Sequence, residues 1–268
     1  MVDYFGRLLE IISQLRGEAG CPWDREQTPT SLRPFLIEEA YEVLEAMDRG
    51  DPQELKEELG DLLFQILFHA QIAKENGQFD IDGVLQSSVE KMTRRHPHVF
   101  QKGGAPKDLT AQAVLLRWED AKRAEDRNLN RRSVLDGIPK SLPALHLAQQ
   151  IQNRAARVGF DWKTPTEVRE NVLEEWEEFS AEVDRADLKR MEEEFGDLLF
   201  SLVNYARHLQ IQPEEALRKA TARFSERFSE IEQITLRNRT RISDLPPEEI
   251  DRLWEETKER LGKKGSPP

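Results

Sequence analysis

The chain has 268 residues, enough for two domains that each bury a hydrophobic core. Its 51 acidic residues outnumber 39 basic ones, and the net charge of −12 argues against nonspecific binding to nucleic acid or to an anionic membrane. The single cysteine, Cys21, excludes an internal disulfide, and there is neither an export signal nor an apolar run of membrane-spanning length, so we predict a soluble cytoplasmic protein.

Apolar side chains recur at three- and four-residue spacing, while alternating β-branched runs are absent. This pattern predicts an all-α fold. We predict a first helix over Tyr4 to Gly17, and we expect Thr28-Pro29 to cap the next helix and to supply its first-turn proline. In the second half, Thr164-Pro165 is followed by Glu167, which predicts a capping box.

The first acidic helix is predicted to end near Gly50, where Asp51-Pro52 starts another helix. That helix, Glu54 to about Asn76, is apolar on more than one face, so we expect partner helices from the other half or from a second subunit. Further helices are predicted at 82–95 and 111–127, with a loop between them. We predict domains 1–127 and 143–262, a joint at 128–142 and a disordered tail at 263–268.

The chain repeats an acidic pattern at a displacement of 136 residues (174 − 38 = 136). The neighbouring residues match as well, since the run Gly60 to Phe64 recurs as Gly196 to Phe200 and Trp118 recurs as Trp254. Two copies of one helical unit therefore fill the chain. The repeated acidic residues are Glu38, Glu39, Glu42, Glu58 and Asp61 in the first copy and Glu174, Glu175, Glu178, Glu194 and Asp197 in the second.

The spacing of these acidic residues predicts a metal site in each copy. Glu39 and Glu42 share one helix face, as do Glu58 and Asp61 on the next helix, and antiparallel packing across Gly50 would bring the four carboxylates together. One such like-charged pair at about 4 Å costs on the order of 4 kcal/mol at an effective dielectric of about 20. Oxygen ligands alone favour magnesium, with manganese as the alternative.

The acidic residues have two alternative interpretations. A di-iron carboxylate bundle requires Glu-x-x-His pairs, and no histidine of this chain has a glutamate three residues before it. An isolated Glu-x-x-Glu is usually a solvated helix face. The conjunction of two acidic pairs on adjacent helices, in both copies, favours the metal site over either alternative.

The pattern Glu-Glu-x-x-Glu followed by Glu-x-x-Asp, with Gly-Asp-Leu-Leu-Phe around the aspartate, resembles the MazG nucleoside triphosphate pyrophosphohydrolases. The resemblance implies a tandem repeat of two MazG-like helical bundles in an intertwined homodimer. It also implies magnesium-dependent cleavage of nucleoside triphosphates between the α and β phosphates, a nucleotide-pool housecleaning activity that yields monophosphate and pyrophosphate. It extends over nearly the whole chain, including Gly20–Asp24, Arg94–Phe100, Ser141–Leu145 and Val158–Trp162.

The resemblance also assigns roles to individual residues. It implies metal binding by Glu175, Glu178, Glu194 and Asp197, and by Glu39, Glu42, Glu58 and Asp61 in the first copy. Glu174 is the implied base or water-orienting group, acting beside Glu175. The implied contacts to substrate, with ATP among the nucleotides bound, are Asn171, Glu174, Arg190, Lys219, Arg223, Trp254 and Lys258. For Lys219 and Arg223 the alternative is a solvated helix face, and for Trp254 it is the core.

The cationic positions distinguish the two copies. Glu54, Gly83 and Ser87 stand where the second copy has Arg190, Lys219 and Arg223, although Trp118 and Lys122 match Trp254 and Lys258. Because a triphosphate needs cationic side chains besides the metal, we predict hydrolysis in the second copy and a structural or regulatory first copy. The competing functions are a dUTPase-like or phosphoribosyl-ATP pyrophosphatase activity and a non-enzymatic helical interaction module.

Overall fold

The computed structural model describes residues 3–100, 110, 113–114 and 133–264. These residues contain helices, turns and loops and no strand, which confirms the all-α prediction. None of the described helices combines the length and the apolar character that crossing a membrane requires. The chain divides into two compact units, Met1–Leu129 and Asn130–Pro268.

The first unit is built around a hairpin of two long helices. α3 (Arg33–Arg49) packs against α4 (Pro52–Glu75), and α1 (Tyr4–Arg16) packs across α4. The core of this unit consists of Ile12, Leu32, Leu67, Phe68 and Ile72. The helices are α1 Tyr4–Arg16, α2 Pro22–Glu26, α3 Arg33–Arg49, α4 Pro52–Glu75, α5 Ile81–Arg95 and α6 Pro97–Phe100.

The turn between α3 and α4 follows the sequence prediction. Gly50 ends α3 with φ +71°, a left-handed conformation that glycine adopts without steric cost, and its N–H donates to the Ala46 carbonyl at 3.1 Å. Asp51 then caps α4 by accepting the N–H of Gln53 at 2.8 Å. This short connection turns α4 back along α3, so the acidic faces of the two helices meet.

The start of α3 differs from the prediction. Thr28 is not its cap, because α3 begins at Arg33 and its first-turn proline is Pro34. The Thr28 hydroxyl accepts the Ser31 N–H at 3.1 Å, and the Ser31 hydroxyl accepts the Thr28 N–H at 2.9 Å. These reciprocal bonds close a separate turn before the helix, so the prediction of a Thr28-Pro29 cap was wrong.

The second unit repeats the hairpin with α8 (Pro165–Arg185) and α9 (Leu188–His208). Thr164 caps α8 as predicted and accepts the Glu167 N–H at 3.3 Å, although the Glu167 carboxylate accepts the N–H of Lys163, one residue before the cap. Asp187 caps α9. The helices are α7 Ala144–Ala156, α8 Pro165–Arg185, α9 Leu188–His208, α10 Pro213–Arg237 and α11 Pro247–Lys264, with a 3₁₀ turn at Ile242–Asp244.

Several predicted features lie wholly or largely outside the described residues. The helix predicted at 111–127 is described only at residues 113–114, which are helical, so Trp118 and Lys122 are not placed. The loop around Gly103, residues 128–132 of the predicted joint and residues 265–268 of the predicted tail also lie outside. The domain limits themselves therefore stay predictions.

Candidate metal and nucleotide site

The α8–α9 hairpin gathers acidic side chains of the second unit. Glu175 on α8 and Glu194 and Asp197 on α9 each offer a carboxylate oxygen, and these three oxygens lie within 4.8 Å of one another. We call these three residues the second acidic cluster. Glu178, the fourth predicted ligand, lies one helical turn beyond Glu175 and outside this close group.

Burial and neighbouring charges perturb Glu175. Its pKa is raised above 4.5, first by burial and then by the negative charges of Asp197, Glu178 and Glu194. The hydrogen bond that Asn171 donates to its Oε1 at 3.3 Å opposes this rise but does not cancel it. The charge of Glu178 thus acts on Glu175, even though Glu178 stands apart from the three closest oxygens.

The donor set fits a hard divalent cation. All four side chains are carboxylates, and none of them forms an ion pair with a lysine or arginine among the described residues. Clustered carboxylates without a counter-charge favour a bound cation, and oxygen-only ligands suit Mg²⁺ or Mn²⁺. The residues present therefore satisfy the chemical requirements of the predicted magnesium site.

The first unit holds a similar group. Carboxylate oxygens of Glu39, Glu42 and Glu58 lie within 4.8 Å of one another, and we call these residues the first acidic cluster. Asp61 is not one of the three, but its charge helps raise the pKa of Glu39, for which burial is the larger cause. In both units, then, two helices bring three of the four predicted ligands together and leave the fourth nearby.

A cavity of about 680 Å³ opens beside the second acidic cluster. Glu175 and Asp197 form part of its wall, so a ligand there would reach the metal site directly. The volume is in the range of small-molecule sites, and the wall combines aromatic faces with a few amides, as such sites commonly do. The lining residues include Gln152, Phe160, Asp161, Trp162, Asn171, Phe200, Ser201, Asn204 and Arg207.

Three predicted substrate positions lie on α8 and α9. Asn171 is in the cavity wall, where it holds Glu175. Glu174 is exposed on α8, next to Glu175. Arg190 is also exposed, in the first turn of α9, with a guanidinium nitrogen 3.6 Å from Glu193.

The other four predicted substrate positions lie on α10 and α11. The Lys219 ammonium is 3.1 Å from Glu215, and Lys258 is 2.7 Å from Glu255. Trp254 packs against Phe224, with ring centroids 5.2 Å apart, so its ring is part of the α10–α11 contact. None of these residues, nor Arg223, lies in the wall of the cavity.

Other polar residues in the cavity wall were not anticipated from the sequence. Asp161 accepts hydrogen bonds from Arg207 and from His208. Burial tends to raise its pKa, but these two bonds outweigh burial and leave the pKa of Asp161 below 3.8. Asn204 lies seven residues after Asp197 on α9, a helical spacing that would have placed it on the same face.

Comparisons with known proteins agree on one family. The model of the MazG nucleotide pyrophosphohydrolase domain matches residues 27–100 and 163–231. The chain is 46% identical to the nucleoside triphosphate pyrophosphohydrolase/pyrophosphatase MazG of Thermotoga maritima, with 95% of each chain covered. It is 45% identical to the nucleoside triphosphate pyrophosphohydrolase of Escherichia coli K12, covering 96% of this chain and 98% of that one. It is 48% identical to YabN of Bacillus subtilis over 95% of this chain and 52% of that protein.

Proposed function

Because the chain belongs to the MazG nucleotide pyrophosphohydrolase family, we propose that it hydrolyses nucleoside triphosphates to the monophosphate and pyrophosphate in its second unit. The observation that carries this proposal is the second acidic cluster, whose three carboxylate oxygens lie within 4.8 Å of one another. Two of its members, Glu175 and Asp197, line a cavity of about 680 Å³. The cluster suits a metal-bound polyphosphate, and the cavity has room for the nucleoside.

Glu175, Glu194 and Asp197, with Glu178 one turn away, would hold magnesium, or manganese in its place. Bound magnesium would neutralise phosphate charge and favour ionisation of the attacking water. Asn171 keeps Glu175 oriented through its hydrogen bond. Glu174, one position before Glu175 on the exposed side of α8, would orient the water and accept its proton.

The cationic side chains of α10 and α11 would hold the leaving pyrophosphate. A triphosphate carries about four negative charges near neutral pH, and phosphoryl transfer depends on cations placed around them. Lys219 and Arg223 are one helical turn apart on α10 and both are exposed, so they can act together on one phosphate chain. Lys258 on α11 and Arg190 on α9 would add further positive charge, while Trp254 would contact the nucleoside from α11.

A homodimer would complete this site. Trp176, Phe179 and Phe195 form an aromatic row across α8 and α9, with neighbouring centroids 6.1 and 5.5 Å apart. Trp176 is 55% exposed, and Leu199 and Leu202 add further exposed apolar surface on α9. A continuous apolar surface of this kind favours burial against a second copy of the chain. In such a dimer the cations of α10 would come from the partner subunit, since in one subunit they lie outside the cavity wall.

The first unit would serve a structural or regulatory role. It has the first acidic cluster, but Glu54 stands where the second unit has Arg190, and Glu54 is itself paired with Arg49. A carboxylate at that position repels a phosphate instead of binding it. The net charge of −12 and the lone cysteine support action on free nucleotides in the cytoplasm, without a nucleic acid partner or a membrane.

Product analysis tests the proposed activity. We expect ³¹P NMR of ATP incubated with the protein and Mg²⁺ to show AMP and pyrophosphate, and EDTA to stop the reaction. ADP and inorganic phosphate as products would refute the proposed cleavage position. Turnover confined to dUTP or to phosphoribosyl-ATP would favour those activities instead, and folded protein without turnover on any of these substrates would favour the interaction module.

A further inference from the structure

We propose that the cavity beside the second acidic cluster is a nucleobase subsite, in which Gln152 accepts a hydrogen bond from the base and Asn204 donates one to it. The inference rests on the proposed function, because it concerns the part of the same substrate that the metal does not hold. It assigns a recognition role to two amides on two different helices, α7 and α9.

Gln152 has an acceptor without a partner. The residue is 6% exposed, and its Nε2 donates to the Phe200 carbonyl at 2.7 Å. This bond fixes the amide orientation, because a flipped amide would set oxygen against oxygen. Oε1 is buried and has no hydrogen-bond partner among the described residues. Since Gln152 lies in the cavity wall, an N–H group of a ligand there would satisfy it.

Asn204 has the complementary donor. Its Oδ1 accepts from Arg207 Nη2 at 2.7 Å and from Arg207 Nε at 3.0 Å, and Arg207 is in turn held by Asp161. The orientation of the Asn204 amide is therefore also fixed, with Nδ2 as its remaining group. Nδ2 donates to no described residue. The wall thus offers one acceptor and one donor, which are the partners that the exocyclic amine and the adjacent ring nitrogen of adenine or cytosine require.

The rest of the wall suits a flat ring. Phe160, Trp162 and Phe200 provide aromatic surface on which any base can stack. Asp197 and Asn204 share one face of α9, and their separation of seven residues corresponds to about 10 Å along the helix. That distance leaves room for a ribose between a phosphate held at the acidic cluster and a base beside Asn204.

The first unit lacks this arrangement although it retains its acidic cluster. The position that matches Asn204 is Phe68 (204 − 136 = 68), which is 2% exposed and packs in the core. Phe64 lies against it at 5.6 Å, and the Arg16 guanidinium stands over its ring at 5.4 Å. A phenyl ring offers no donor to a base. Nucleobase binding should therefore be confined to the second unit.

Substrates that lack the exocyclic amine test the inference directly. The pairs are ATP with purine riboside triphosphate, and CTP with its 4-deamino analogue. For at least one pair, we expect wild-type kcat/KM to favour the amine-bearing nucleotide by about tenfold or more, the loss expected when a buried acceptor goes unpaired. In Gln152→Leu that preference should fall to about one, chiefly through KM.

Two further variants separate recognition from folding. Gln149→Leu is the matched control, because Gln149 is a buried amide on the same helix that does not line the cavity. It should keep the wild-type preference. Asn204→Asp keeps the shape and the contact with Arg207 but removes the donor, so it should lower kcat/KM for both members of each pair by a similar factor.

The outcomes distinguish this inference from the proposed function. Wild-type ratios near one for both pairs, or a wild-type preference that persists in Gln152→Leu, would overturn the base subsite while pyrophosphate release continues. If Gln152→Leu is too slow to assay, metal-free binding of AMP and of purine riboside monophosphate by calorimetry gives the same comparison. Absence of Mg²⁺-dependent pyrophosphate release from every triphosphate tested would instead refute the proposed function.

Discussion

Neutralising one carboxylate of the second acidic cluster should stabilise the metal-free protein and remove most of its response to magnesium. In Glu175→Gln, the side chain keeps its shape and its Oε1 can still accept the hydrogen bond from Asn171. What it loses is its negative charge, which faces Glu194 and Asp197. Most substitutions at buried sites destabilise, so a gain in stability would be a distinctive result.

The size of this gain follows from the geometry. At 4.8 Å, the largest separation in the cluster, a pair of like charges costs about 1 kcal/mol with water-like screening and about 3.5 kcal/mol at an effective dielectric of about 20. Glu175→Gln removes two such pairs. Because Asp197 is exposed, screening favours the lower value, which gives about 2 kcal/mol. For a unit of this size that corresponds to a rise of roughly 5 °C in Tm.

Thermal unfolding in EDTA and in a magnesium titration measures both effects. Wild-type Tm should rise with Mg²⁺, by an amount equivalent to about 2.7 kcal/mol at 100 times the Kd, and Glu175→Gln should lose most of this rise. Glu177→Gln is the control, because it removes an exposed charge of the same helix outside the cluster. Glu39→Gln, made alone and together with Glu175→Gln, shows how much of the rise in Tm comes from magnesium bound by the first acidic cluster.

The pH dependence of unfolding tests whether the charge on Glu175 destabilises the wild-type protein. Because the folded pKa of Glu175 is raised, mainly by burial, the wild-type protein loses stability as pH rises through that pKa, and the variant does not. The difference between them should therefore vanish below pH 4.5, the ordinary value for glutamate. If Glu175→Gln is less stable than wild type in EDTA at neutral pH and its magnesium response is unchanged, the carboxylates of the cluster do not repel one another as described.

Three other predictions concern the surroundings of the site. Lys219→Ala and Arg223→Ala should each lower kcat/KM at least tenfold in steady-state assays without changing Tm, and unchanged kinetics would leave both as solvated surface. Asp161→Asn should destabilise the protein above pH 3.8, with the difference shrinking as pH falls through the lowered folded pKa of Asp161; acid titration of unfolding would show a constant difference if its ionisation were irrelevant. Leu202→Glu should yield monomers by light scattering while the exposed control Leu236→Glu stays dimeric, and two dimeric variants would contradict the proposed interface.

The acidic hairpins were predictable because their cause is local. Residues three apart on a helix share a face, and Gly50 followed by Asp51 marks the turn that brings two such faces together. Spacing does not fix how far each helix is rotated about its own axis. That rotation decides which of the four carboxylates in each unit come closest together, and Asp61 and Glu178 stand outside the closest groups.

The cavity was not predictable, because it depends on contacts between residues that are distant in sequence. Gln152 and Phe200 are 48 residues apart in sequence, and only the packing of α7 on α9 joins them. An isolated amide in a helix carries no pattern that marks it as unpaired. The Thr28-Pro29 error has a different origin. The pair matches a helix start, but the hydrogen bonds between Thr28 and Ser31 hold Thr28 in a separate turn before the helix.

The catalytic role of the second acidic cluster is tested by measuring pyrophosphate release from a triphosphate by Glu175→Ala and by Glu39→Ala, with saturating Mg²⁺ and with folding checked by circular dichroism. If the second acidic cluster is the catalytic metal site, Glu175→Ala falls to background while Glu39→Ala keeps nearly wild-type kcat. Retained activity in Glu175→Ala together with loss in Glu39→Ala would place the chemistry in the first unit and contradict the assignment.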